Sequence, residues 1–218
     1  MNLKDKKIVF LGDSITEGSG ASSIEKRYTD LIAKKTGAIC YNHGIGGTRI
    51  ARQTEVSENP RHDLDFPSRV GELEEDADIV VVFGGTNDYG HGAAPFGNFD
   101  DRSVFTFYGA LHTLYVSLIE KFPRSTIVIL TPLHRRNERD PIVEGCHPTK
   151  KHILAQHVDA IREVAEYYSL PVLDLFKTSG LQPAIPLIRE MYMPDGLHPN
   201  DAGYEILANK IINFLESL

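Results

Sequence analysis

Residues 8–18, IVFLGDSITEG, decide the fold class of this chain. Four apolar residues, 8–11, form a short run typical of a buried strand, and Gly12 ends that run. Ser14 follows in the turn, with small and polar residues after it. Parallel α/β sheets place their chemistry just past the carboxyl ends of buried strands, so Ser14 is a candidate functional residue. The alternative is an ordinary turn or helix-capping serine beside Gly and Asp.

Beyond this stretch, short apolar runs alternate with longer segments of helical periodicity, which predicts βαβ units and a parallel sheet. We predict strands over residues 7–11, 38–41, 78–83, 126–130 and 171–175. We predict helices over residues 24–36, 103–122, 150–168 and 200–218, one or two short helices within 49–70, and loops over 89–101, 133–148 and the proline-containing stretch 178–193. No repeat, linker or change in composition divides the 218 residues, so we expect one α/β domain over residues 1–218.

Composition excludes several classes of protein. The net charge of −7 argues against a nucleic-acid partner, because phosphate binding needs clustered Lys and Arg. The polar start MNLKDKK and the four-residue apolar run after it fit neither a signal peptide nor a membrane span, so we expect a cytoplasmic protein. Cys40 and Cys146 lack metal-ligand spacing, and Cys146-His147 with His134 makes only a weak metal candidate. The sequence does not indicate an oligomeric state.

Asp195 and His198 supply what a nucleophilic serine needs. Histidine is the usual base for an activated serine, and a carboxylate on its other ring nitrogen fixes the tautomer and stabilises the imidazolium. The two residues lie three positions apart near the end of the chain, in the segment DGLHPN. The alternative is a simple turn at Asp195-Gly196 with His198 in a loop.

Acyl transfer also needs hydrogen-bond donors aimed at the developing oxyanion, and two predicted strand ends offer them. The loop after the second strand contains Gly44, Gly46 and Gly47, whose backbone N–H groups can approach a substrate closely. Asn87 follows the third strand and offers an uncharged side-chain N–H. The alternative assigns the glycines to a tight turn and Asn87 to a local cap. In a parallel sheet all these segments converge at one edge, which favours the functional interpretation.

The segments GDSITEG, NHGIGGT, GGTND and DGLHPN together resemble the ordered sequence blocks of the GDSL/SGNH hydrolase family, over nearly the whole chain. This resemblance implies a flavodoxin-like three-layer α/β/α sandwich with a central five-stranded parallel sheet. It also implies Ser14 as nucleophile, His198 as base and Asp195 as the acid that orients it. The implied oxyanion hole comprises the Ser14 backbone N–H, the Gly47 N–H and the Asn87 side chain.

The resemblance is loose at two points. The family has one functional glycine in its second block where this chain has three; Gly47 is preferred because it precedes Thr48, and Gly44 and Gly46 stay open. The first block reads GDSI, an apolar exchange for the GDSL of the family name. Thr16 stands where the G-x-S-x-G motif of α/β-hydrolases would have its last glycine, which separates this chain from that fold.

The resulting hypothesis is a serine esterase that hydrolyses a small acyl ester, such as an O-acetylated carbohydrate, without a metal or organic cofactor. Tyr89 and His91, just after Asn87, are expected to line the substrate pocket. The resemblance also allows lysophospholipids, thioesters or aryl esters as substrates and acyl transfer to an alcohol other than water. The hypothesis from another class is a non-catalytic carbohydrate-binding module that keeps the fold.

Overall fold

The computed structural model describes residues 1–140 and 152–218. Its centre is a five-stranded sheet in the order β2-β1-β3-β4-β5, and every neighbouring pair of strands is parallel. The strands are β1 Lys7–Gly12, β2 Ile39–Gly44, β3 Ile79–Phe83, β4 Thr126–Leu130 and β5 Val172–Leu173. The predicted five-stranded parallel sheet is therefore confirmed.

Helices cover both faces of this sheet and complete a three-layer α/β/α arrangement. They are α1 Ser14–Glu17, α2 Tyr28–Thr36, α3 Phe66–Arg69, α4 Thr86–His91, α5 Phe107–Lys121, α6 Leu154–Tyr167, α7 Leu175–Thr178, α8 Pro186–Tyr192 and α9 Asp201–Ser217, with 3-10 turns at Ile24–Lys26, Pro60–Asp63 and Val70–Glu72. Within residues 1–140 and 152–218, no helix is both long enough and apolar enough to cross a bilayer.

Alternating strand residues feed two apolar cores, one on each face of the sheet. Along β1, Val9 and Leu11 face the core covered by α5 and α6, whereas Ile8 and Phe10 face the core covered by α2 and α9. The central strands are buried on both sides, which explains why they read as continuous apolar runs in the sequence.

The structure differs most from the sequence-based boundaries at three helices; in addition, α5 begins at Phe107 and β5 is only two residues long. The predicted helix 24–36 is divided, because Arg27 adopts an extended conformation between the turn Ile24–Lys26 and α2. Helix α4 occupies the start of the predicted loop 89–101. Helix α8 lies within the predicted loop 178–193, where Pro186 takes the first helical position, at which a missing N–H is tolerated.

The carboxyl ends of the three adjacent strands β2, β1 and β3 meet at one edge of the sheet. Gly12 at the end of β1 is in register with Gly44 of β2 and with Phe83 of β3. The chain leaves these strands toward Ser14, the glycine loop and Asn87, so three distant segments of sequence are brought to the same edge.

Candidate active site

Ser14 is the first residue of α1, directly past the end of β1. Asp13 caps this short helix, with its carboxylate accepting a hydrogen bond of 3.0 Å from the Ile15 N–H. Gly18 closes the helix in a left-handed conformation. The local sequence thus fixes a tight turn that holds Ser14 almost buried, with 8% of its surface exposed.

Ser14, His198 and Asp195 form a continuous hydrogen-bonded chain. Oγ of Ser14 lies 2.9 Å from Nε2 of His198, and Nδ1 of His198 lies 2.6 Å from Oδ2 of Asp195. The other carboxylate oxygen, Oδ1 of Asp195, accepts the backbone N–H groups of Leu197 and His198 at 2.8 and 2.7 Å. These bonds fold the DGLH segment around the carboxylate and aim the imidazole at Ser14.

The electrostatics of Asp195 set the direction of these hydrogen bonds. Partial burial raises the pKa of this carboxyl group, but the hydrogen bonds from His198 and Leu197 outweigh it and lower the pKa to about 2. An ionised carboxylate can only accept, so Nδ1 of His198 donates to it. The Nε2 lone pair of the neutral ring then faces Ser14. A serine hydroxyl in this position can be deprotonated as it attacks a carbonyl carbon.

The glycine loop after β2 offers one unused donor beside Ser14. The Gly44 N–H donates to Oδ1 of Asn42 at 2.9 Å, and the Gly46 N–H donates to Oε2 of Glu17 at 2.8 Å. Among residues 1–140 and 152–218, no acceptor takes the Gly47 N–H or the Ser14 N–H. Of the three glycines, Gly47 therefore has the backbone donor that remains for a ligand.

Asn87 is held next to that loop. It lies in the first turn of α4, which Gly85 begins in a left-handed conformation with φ of 105°. Nδ2 of Asn87 donates 3.0 Å to the carbonyl oxygen of Thr48, the residue after Gly47. One amide proton is used in this bond, and the second remains to donate elsewhere.

A buried acid, Asp13, and a buried base, Arg69, lie next to Ser14 and the glycine loop. Burial raises the pKa of Asp13 to about 6, against the opposing effect of its hydrogen bond from the Ile15 N–H. Burial lowers the pKa of Arg69 to about 10. Nη1 of Arg69 donates 3.1 Å to both the Gly12 carbonyl and the Thr48 hydroxyl, so it joins the end of β1 to the glycine loop.

Tyr89 and His91, the two residues predicted to line the pocket, differ in their surroundings. Tyr89 is fully buried, and its hydroxyl donates to the carbonyl oxygens of Asn137 and Asp140. Among the residues that the structure describes, its side chain packs in the interior with none of its surface exposed, which does not fit the expected position along a pocket. His91 is half-buried, and its ring lies 5.6 Å from that of His62.

Three residues near the site were not predicted from the sequence. His62 packs against Gly47, buried Arg49 bonds to His62 and His91, and Arg69 binds the glycine loop. In the sequence these three residues follow no helical or strand periodicity, so no pattern marked them. The one available signal was the Asn59-Pro60 pair, which begins the 3-10 turn that carries His62.

Where the structure describes them, the histidine and cysteine residues considered as metal ligands have surroundings other than a metal site. Nδ1 of His134 lies 2.8 Å from the Glu138 carboxylate, and burial raises the pKa of the Cys40 thiol to about 12. Cys146 and His147 lie outside the described residues. Within residues 1–140 and 152–218, no group of three or more His, Cys, Asp or Glu side chains could hold a metal ion.

Comparison with known proteins gives one matching family. The profile of the GDSL-like lipase/acylhydrolase family matches residues 10–206. A solved structure of a Lactobacillus plantarum protein is 31% identical, with 98% of each chain covered and a TM-score of 0.83. A lipase/acylhydrolase from Enterococcus faecalis is 23% identical, covering 97% of this chain and 96% of its own, with a TM-score of 0.66. An acetyl xylan esterase is 21% identical, covering 95% and 98%, with a TM-score of 0.63. No protein with a curated description matches the chain.

Proposed function

Because this chain belongs to the GDSL-like lipase/acylhydrolase family and is a hydrolase of ester bonds, we propose that it acts through Ser14, His198 and Asp195 as a catalytic triad. The observation that carries the proposal is the hydrogen-bonded chain from Ser14 through His198 to Asp195, with distances of 2.9 and 2.6 Å. We propose that residues 1–218 work as a single catalytic domain.

In the proposed reaction, Nε2 of His198 takes the hydroxyl proton while Oγ of Ser14 attacks the ester carbonyl carbon. The oxyanion accepts hydrogen bonds from the Ser14 N–H, the Gly47 N–H and Nδ2 of Asn87. His198 then gives its proton to the departing alcohol, which leaves an acyl group on Ser14. Water attacks this acyl-enzyme with His198 as base, and the acid is released.

We further propose that the substrate is a small acyl ester of a hydroxyl-rich alcohol, an O-acetylated carbohydrate. The side chains around Ser14 are polar and reach the surface: Glu17 and Arg61 form an ion pair, and Asp195 is 55% exposed. Such a rim suits a sugar, whose hydroxyl groups need hydrogen-bond partners, better than a long alkyl chain. The fold shared with an acetyl xylan esterase agrees with this proposal.

The test compares wild type with Ser14→Ala on p-nitrophenyl acetate and on acetylated xylan and mannan oligosaccharides, measuring release of p-nitrophenol and acetate. We expect Ser14→Ala to lower kcat by several orders of magnitude and to abolish labelling by a fluorophosphonate. Ser217→Ala, at an exposed position in the last turn of α9, is the matched control. A Ser14→Ala enzyme that keeps most of its activity would contradict the assignment of the nucleophile. Turnover of p-nitrophenyl acetate without acetate release from the oligosaccharides would contradict the carbohydrate substrate alone.

A further inference from the structure

Two imidazole rings lie beside the two proposed oxyanion donors, Gly47 and Asn87. His62 packs on Gly47 so closely that a Cβ at that glycine would overlap its ring. His91 follows Asn87 by four residues on α4, so the two side chains share one face of the helix. The His62 and His91 rings meet with their centroids 5.6 Å apart and their planes tilted by 54°. The rings therefore form a continuous surface, which we call the imidazole wall, running from Gly47 to Asn87.

Arg49 fixes both halves of the imidazole wall. Its side chain is only 4% exposed. Nη1 donates 3.0 Å to Nδ1 of His91 and 3.3 Å to the His91 carbonyl oxygen, while Nη2 donates 2.8 Å to the His62 carbonyl oxygen. Nη2 also donates 3.1 Å to Oδ1 of Asp63, which balances the buried charge. Because one buried guanidinium bonds to both His62 and His91, the imidazole wall is rigid.

The bond from Arg49 also sets the chemical state of His91. A guanidinium only donates, so Nδ1 of His91 must accept, and the neutral ring carries its proton on Nε2. The Nδ1 lone pair of His91, which a base would use, is thus occupied by the bond from Arg49.

The stereochemistry of the proposed reaction decides which part of a substrate meets this wall. His198 must protonate the leaving alcohol, so the alcohol lies on the His198 side of the reacting carbon. The oxyanion points to Gly47 and Asn87, and the bond to Oγ occupies a third direction. The acyl substituent takes the remaining direction, away from His198. His62 adjoins Gly47, and His91 adjoins Asn87.

We propose that the imidazole wall, His62 and His91 held by Arg49, is the specificity determinant that restricts the acyl group to a short chain such as acetyl. This inference rests on the proposed function, because it takes the acyl direction from the roles of Ser14 and His198. The wall blocks longer acyl chains by occupying the space they would enter. Neither imidazole takes part in bond making or breaking.

The experiment measures kcat/KM for p-nitrophenyl acetate, butyrate and hexanoate in wild type, His62→Ala, His91→Ala and His62→Phe. We expect wild type to prefer acetate. In His62→Ala the ratio of kcat/KM for hexanoate to that for acetate should rise at least about tenfold, since a single methylene group in an apolar pocket already changes specificity by about that order. His91→Ala should shift the ratio in the same direction. His62→Phe, which keeps a ring of similar size, should keep the wild-type ratio.

Val56→Ala is the control, since Val56 lies in the same segment of chain as His62 and is 88% exposed. Thermal unfolding checks that each variant is folded. A hexanoate-to-acetate ratio that stays within about twofold of wild type in both folded alanine variants would overturn the proposal. If wild type instead hydrolyses none of these esters and Ser14 takes no fluorophosphonate label, the proposed function itself fails, and the inference fails with it.

Discussion

Replacing Asp195 by asparagine tests the proposed triad through the direction of its hydrogen bonds. The two backbone N–H groups of Leu197 and His198 donate to Oδ1 of Asp195 at 2.8 and 2.7 Å. An asparagine at this position must keep its amide oxygen there, because the reversed amide would place its NH₂ group against two donors. The NH₂ group then faces Nδ1 of His198, where Oδ2 of the carboxylate lay at 2.6 Å.

This orientation gives the imidazole the wrong tautomer. Facing a donor, Nδ1 of His198 must accept, so the neutral ring carries its proton on Nε2 and cannot take the proton of Ser14. A buried triad loses about 10⁴-fold in kcat from such a change. Asp195 is 55% exposed, so water relieves part of the conflict, and we expect a loss of about 10³-fold, roughly 4 kcal/mol in the activation barrier.

The assay is the steady-state kcat for p-nitrophenyl acetate, with the rate of fluorophosphonate labelling of Ser14 as a second readout. We expect both to fall together, with little change in thermal stability, because the asparagine oxygen keeps both backbone bonds. Asp159→Asn, at a side chain that is 69% exposed on α6, is the matched control. A loss in kcat of less than about tenfold in folded Asp195→Asn would refute the role assigned to this carboxylate.

Two further predictions concern residues beside Ser14. Burial raises the pKa of Asp13 from 3.8 to about 6, so the folded protein binds this proton more tightly than the unfolded chain. The free energy of unfolding should therefore fall by roughly 3 kcal/mol as the pH rises from about 4 to about 6. Asp13→Asn should remove this loss and raise the free energy of unfolding at neutral pH. Urea unfolding measures that free energy for both proteins between about pH 4 and 6. The same dependence on pH in wild type and variant would contradict the prediction. Asn87→Ala should lower kcat by roughly 10²–10³-fold, as expected for a donor to the oxyanion. An unchanged kcat would show that Asn87 is not an oxyanion donor.

The sheet could be predicted because its strands are buried on both faces. A central strand such as β3 then appears as an unbroken apolar run, and the run ends where the chain turns at the sheet edge. Ser14, the glycine loop and Asn87 lie at that edge, as the strand ends predicted. The edge strand β2 was predicted too short, because polar residues such as Asn42 and His43 continue it beyond the apolar run.

Tyr89 shows where sequence proximity misleads. It follows Asn87 by two residues, and the glycines around it suggested a loop in which both side chains could reach a substrate. The segment is instead the helix α4, in which residues two apart point in different directions. Asn87 faces the glycine loop, and Tyr89 consequently faces the interior, where its hydroxyl meets backbone carbonyls. His91, four residues after Asn87, returns to the face of the site.

The position of His62 could not be predicted, because it depends on a side chain that Gly47 lacks. Gly47 adopts a φ of 78° and has no Cβ, which leaves room for the ring of His62. A side chain at this position would have to displace that ring. The proposed limit on acyl length therefore depends on one missing Cβ, at the residue that is also the proposed oxyanion donor. From these two proposals we expect a substitution at His62 to change acyl specificity while the Gly47 N–H stays in place, and a substitution at Gly47 to disturb both.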